Sequence, residues 1–159
     1  MTQRVAVVRP YPKVGEIFEL TLDGDAPENQ PLEMLPRSCY HLGQWEHHGS
    51  VVKGKHTRRF KIVELDYCRN FKKVLQKLAA HGKVPEGQWL QAFKHRHPRL
   101  ELGEEVSIAD ASWADWTGPT YFPFLDSGFP FNDRGPFVLL CKINNGNVAG
   151  RRWLVEVNE

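Results

Sequence analysis

The segment Cys39-Tyr40-His41-Leu42-Gly43-Gln44-Trp45-Glu46-His47-His48 brings one thiol and three imidazoles close together, with His56 a short distance beyond. A thiolate and neutral imidazoles are zinc ligands, and a cysteine near a histidine is also the starting point of a hydrolase nucleophile. The spacing Cys-x-His-x5-His-His, however, matches no closed structural zinc site, and no nucleophile elbow or thiol-protease signature surrounds Cys39, Cys68 or Cys141. The sequence therefore predicts no metal and no cofactor, with Tyr40 and Trp45 pinning a surface loop to the core. A hydrolase-like enzyme working through loop 39–48 stays open as a third functional reading.

Cys68 stands before a helix start and beside Arg69, two features that favour a thiolate, whereas Cys141 lies in an apolar run and reads as a packed small hydrophobe. Asp110, Asp115, Asp126 and Asp133 fall where turns need aspartate, at spacings that make neither a calcium loop nor an acid pair. Glycine-rich phosphate loops of the Gly-x-Gly-x-x-Gly and Gly-x4-Gly-Lys-[Ser/Thr] kinds are absent.

Charge gives the clearest pattern. The whole chain sums to +2, yet residues 53–99 hold 13 Lys/Arg against the acids Glu64, Asp66 and Glu86, a local +10 set against −8 over the flanks. The candidate binding residues are Lys53, Lys55, Arg58, Arg59, Lys61, Arg69, Lys72, Lys73 and Lys77. Such a surface suits a phosphate backbone, because neutralising phosphates releases counterions without demanding sequence specificity; a solvated helix face explains the same charges. Trp45, Trp113 and Trp116 are candidate aromatic contacts. The aromatic run from Trp113 to Phe131 either caps an open sheet end or forms a stacking or protein-contact surface beside the basic segment.

Several elements must position these groups. Asn70 caps a helix in which Phe71, Val74, Leu75 and Leu78 recur at helical spacing, and Gly82 follows its last turn. This predicts a helix over 70–81, with Lys72, Lys73 and Lys77 away from the apolar stripe. Pro85 opens and Pro98 ends a second helix over about 86–97. As a helix-turn-helix unit, the pair would offer Gln88, Gln91, Lys94 and His95 to base edges.

Strands are predicted at Val5–Val8, Glu16–Leu22, Arg58–Leu65, Val106–Ala109, Tyr121–Leu125, Phe137–Ile143 and Arg151–Val157. Phe60 and Ile62 alternate with Arg59 and Lys61 before Val63 and Leu65 change phase, as at a bulge or a buried end. The last two strands read as an antiparallel hairpin, through Asn144-Asn145-Gly146-Asn147 with Gly150 as a bulge. The stretch after Asp23-Gly24-Asp25, up to Gly49, reads as a long irregular excursion.

Together these make a single α+β domain over residues 1–159: a curved antiparallel sheet or small open β-barrel with an inserted pair of helices. An odd cysteine count at wide spacing places the chain in the reducing cytoplasm, and no apolar run is long enough for a leader or a membrane span.

This layout, with a Lys/Arg/Thr-bearing turn before a strand, is loosely similar to PUA-like domains of the ASCH type, a resemblance that implies RNA binding. Their turn motif Gly-x-Lys-x-x-Glu-x-Arg, aligned at Gly54, meets His56 at the lysine and Arg59 at the glutamate. No family is assigned on it, and no family residue is carried over. The first functional reading is a non-catalytic binding domain whose basic central face takes nucleic acid or another polyanion. The second is a protein-interaction or inhibitor module bound to an acidic protein surface.

Overall fold

A computed structural model describes residues 10–37, 39–66, 68, 70–101, 103–118, 120–127, 136–143 and 152–158. Among them the elements run β1 (Phe18–Asp23), β2 (Trp45–His47), β3 (Lys55–Glu64), α1 (Phe71–Ala79), α2 (Trp89–Arg96), β4 (Val106–Ser107), β5 (Trp113–Asp115), β6 (Thr120–Asp126), β7 (Phe137–Lys142) and β8 (Arg152–Glu156). The class is α+β, and the eight described strands form one open sheet ordered β1-β3-β8-β4-β6-β5-β2, with β7 also paired to β6. The predicted strand Val5–Val8 lies outside the described residues.

The sheet is mixed, where an antiparallel one was predicted: β4 and β8 run parallel, Val106 opposite Arg152 and Ser107 opposite Trp153. The predicted hairpin of the last two strands is also corrected. β7 pairs with β6, and β8 lies between β3 and β4. Burial gives the reason. Trp153, Leu154 and Val155 are all buried, so successive residues of β8 need apolar cover on both faces, which a central position supplies. The Asn-Gly turn that suggested the hairpin lies outside the described residues.

The phase change in β3 has the same origin. Phe60 and Ile62 join a core with Leu154, Leu125 and the α2 residues Trp89, Leu90 and Phe93. Val63, on the opposite face, joins a second core with Trp153, Val155, Phe122 and the α1 residues Phe71, Val74 and Leu78. The sheet is thus covered on both faces, α2 on one and α1 on the other, and β3 leaves its alternating pattern where both covers begin.

Helix α1 forms where the period placed it. The Asn70 side chain accepts from Lys73 N at 2.9 Å, satisfying a first-turn donor, and the amides of His81 and Gly82 fold back on the Leu78 carbonyl. Gly82 is set by crowding, since a Cβ there would sit 2.3 Å from the Glu156 carbonyl oxygen. Among the described residues no helix is long and apolar enough to cross a membrane.

Candidate polyanion-binding face

Strand alternation sorts the basic residues of β3 between the two faces. Lys55, Arg59 and Lys61 share parity with Val63 and so project on the α1 side, whereas Arg58 shares parity with Phe60 and projects on the α2 side. Lys55 and Arg59 are exposed and Lys61 is half-buried. On α1, Lys72, Lys73 and Lys77 are all exposed, because Phe71, Val74 and Leu78 take the inward positions. Lys53 is exposed ahead of β3, beside Gly54 at φ 75°, and its carbonyl lies 2.7 Å from His56 Nε2.

The field on this side is not purely positive. In the register of β1 and β3, Glu19 lies opposite Arg59 and Asp23 opposite Lys55, so two of the cations have a carboxylate across the ladder. Lys61 faces Val155 instead.

Arg58 is committed elsewhere. Its guanidinium sits 5.4 Å from the Trp89 ring centroid, with Nη1 3.5 Å from Glu86 Oε2 and 3.7 Å from Glu156 Oε2. Glu86 also accepts from Trp89 Nε1 at 3.2 Å, so one arginine ties the start of α2 to β3 and β8. Arg69 lies outside the described residues.

The aromatic candidates separate by burial. Trp113 is fully buried and donates through Nε1 to the Pro31 carbonyl at 3.1 Å. Trp45 is half-buried, edge-on to Tyr40 at 5.4 Å and to Tyr121 at 4.8 Å. Trp116 is 81% exposed in the turn joining β5 to β6. Asp115 organises that turn: it accepts from the Thr117 amide at 2.9 Å, from the Thr117 hydroxyl, and from Tyr121 Oη at 3.0 Å. These bonds, the Thr117 hydroxyl first, hold the Asp115 carboxyl below its usual range.

Loop 39–48 is less irregular than predicted, because Trp45–His47 pairs with β5 as strand β2. The His47 ring lies 4.6 Å from that of Trp113, and burial lowers its pKa, so its neutral form is favoured. His48 Nε2 is 3.0 Å from Glu46 at the surface, and Cys39 and His41 are exposed. Among the described residues no three His, Cys, Asp or Glu side chains are gathered to hold a metal. Cys68 is buried, with its thiol 3.4 Å from the Asp66 carbonyl.

The helix-turn-helix possibility is excluded by placement. With α1 and α2 in separate cores on opposite faces, the two helices are not a packed pair. Gln88 and Gln91 are buried rather than presented. Gln88 Oε1 accepts from Val52 N at 2.7 Å and its Nε2 donates to the Asn29 carbonyl at 2.8 Å, while Gln91 donates to the Glu28 carbonyl at 3.0 Å. The sequence signal that hid this was local: a glutamine at the start of a polar helix looks alike whether it faces solvent or a buried loop.

Comparison with protein-family models, with curated proteins and with solved structures finds no match for this chain.

Proposed function

We propose that this chain is a non-catalytic binding domain whose α1-side face engages a polyanion, with nucleic acid the expected ligand. The observation that carries the reading is that Lys55, Arg59 and Lys61 point to the same side of the sheet as α1, on which Lys72, Lys73 and Lys77 are exposed. Spread over a strand and a helix, such cations suit a phosphate chain better than a single phosphate. Cys68 and Cys141 are free thiols, which fits a reducing cytoplasm, where such a ligand is abundant.

The test is a salt titration of RNA and DNA binding on wild type and on the double variant Lys72→Glu, Lys77→Glu. Wild type should lose affinity with salt at a log–log slope of roughly −0.7 to −0.9 per phosphate neutralised. The variant should bind more weakly, with a shallower slope, at unchanged stability, because exposed charges contribute little to folding. Absence of binding at about 50 mM salt, where such contacts are strongest, overturns the reading.

A protein-interaction module is a second reading, favoured by Trp116. An exposed indole on a turn braced by Asp115 is the kind of pre-ordered aromatic that anchors interfaces. Affinity capture of nuclease-treated lysate with wild type and Trp116→Ala separates the two: a protein partner retained by wild type and lost in the variant supports this reading, and loss of all captured material after nuclease supports the first.

A further inference from the structure

Among the described residues strand β1 stands at an edge of the sheet, and its ladder register decides what that edge offers. The Gly24 amide donates to the Gly54 carbonyl at 2.8 Å, and the same register sets Leu22 opposite His56, Leu20 opposite Arg58 and Phe18 opposite Phe60. In an antiparallel ladder hydrogen-bonded pairs alternate with non-bonded ones, so these even-numbered residues are the ones that bond β3. Glu19, Thr21 and Asp23 then turn their N–H and C=O groups outward. Three other bonds agree. Arg96 donates to the Glu19 carbonyl, Asn29 Nδ2 donates to the Asp23 carbonyl at 2.9 Å, and the Arg59 carbonyl is turned away from β1 to accept from Val157 N at 2.8 Å. Among the described residues the outward set left at the edge is the amides of Glu19, Thr21 and Asp23 and the carbonyl of Thr21, all on exposed residues.

A groove of about 840 Å³ runs along this edge, with Ala92, His95 and Arg96 of α2 as its far wall and Phe18, Leu20 and Arg59 also lining it. A strand edge facing a helix across a trough can receive one more extended chain: main-chain bonds hold the added strand, and alternate side chains reach the helix wall. Among the described residues the lining holds the basic side chains of Arg96 and Arg59, with His95 beside them, and one carboxylate, that of Glu19.

We propose that the trough between β1 and α2 is a docking site for an extended peptide bearing acidic side chains, which adds to the sheet beside Thr21 and turns its carboxylates toward His95 and Arg96. Arg59 lines this trough and also belongs to the α1-side set, whereas Thr21 and His95 belong to the trough alone, so variants at those two residues test this site apart from the polyanion reading.

The full chain is titrated with an end-capped, fluorescent peptide of alternating valine and glutamate, followed by anisotropy and by amide NMR spectra. Saturable binding is expected, with the Glu19 and Thr21 amides shifting most, and a valine–lysine peptide should bind at least about tenfold more weakly. Thr21→Pro keeps the bonds to β3 but removes an outward donor, and should lower affinity about tenfold, edge strands being tolerant of proline. His95→Glu, at an exposed position, should weaken binding several-fold and decides the matter should the proline variant misfold. The proposal is overturned by absence of binding, by equal binding of the lysine peptide, by shifts confined to the α1 lysines, or by unchanged affinity in both variants.

Discussion

Replacing Gln88 by alanine should cost folding stability and leave nucleic-acid affinity alone, the reverse of what a base-reading glutamine would do. Gln88 is 1% exposed and satisfies two main-chain groups of otherwise separate segments, the Val52 amide and the Asn29 carbonyl. Alanine leaves both buried without a partner. Each such group costs about 1–3 kcal/mol, so the pair amounts to about 2–5 kcal/mol once imperfect additivity is allowed for. Against a domain stability of about 5–15 kcal/mol this is a large share. Urea unfolding followed by tryptophan fluorescence reads it directly: with a slope near 2 kcal/mol/M, the midpoint should fall by about 1–2.5 M at unchanged slope. Gln88→Glu sharpens the test, because it keeps an acceptor for Val52 N but removes the donor to Asn29 and buries a charge, so it too should destabilise. A midpoint within about 0.3 M of wild type for the alanine variant, together with weakened nucleic-acid binding, would refute the clamp and restore α2 as a reading helix.

Two further outcomes follow from packing and from titration. Gly87→Ala should destabilise by about 1–3 kcal/mol in the same urea assay, since its Cβ would sit 2.3 Å from Trp113 Cη2 and 2.8 Å from Pro123 Cγ, neither of which can swing away. Tyr11, whose hydroxyl donates to the Glu104 carbonyl at 2.6 Å, has its pKa raised by burial from 10.0 to about 12. Its neutral phenol therefore stabilises the fold fully below the unfolded value, and that contribution is lost as pH rises through the folded one. A tyrosinate absorbance titration should show a late step that disappears in Tyr11→Phe.

The sequence made α1 legible because its cap, its period and its lysine face all agree locally, and the structure realises each of them. The phase change at Val63 was visible too, but its meaning, a strand covered on both sides, depends on partners distant in the chain. Strands β2 and β5 escaped detection because three residues cannot establish a period, and they are held by each other and by β6. A tight-turn dipeptide points to a hairpin of the last strands, a local signal overridden by the need of Trp153, Leu154 and Val155 for cover on two faces. The basic residues could be named from composition alone; the division within β3, with Arg58 bound to Glu86 and Glu156 and Lys55, Arg59 and Lys61 on the opposite side of the strand, required its parity.

The place of β8 bears on how this fold comes together. Among the described strands, β1 and β3 lie on one side of it and β4, β6, β5, β2 and β7 on the other, and it alone joins the two groups. Until residues 152–156 enter, each group can form by itself, but the sheet cannot become continuous and neither core is complete, since Leu154 belongs to one and Trp153 and Val155 to the other. Closing such distant pairings requires a large loss of chain entropy before any contact is gained, so assembly should be slow and late for a chain of this size. In the meantime the facing edges of β3 and β4 stand unpaired, and an unpaired edge accepts strands from neighbouring molecules as readily as its own. The same strand that makes the sheet one body thus sets the interval during which the chain is most exposed to misassembly.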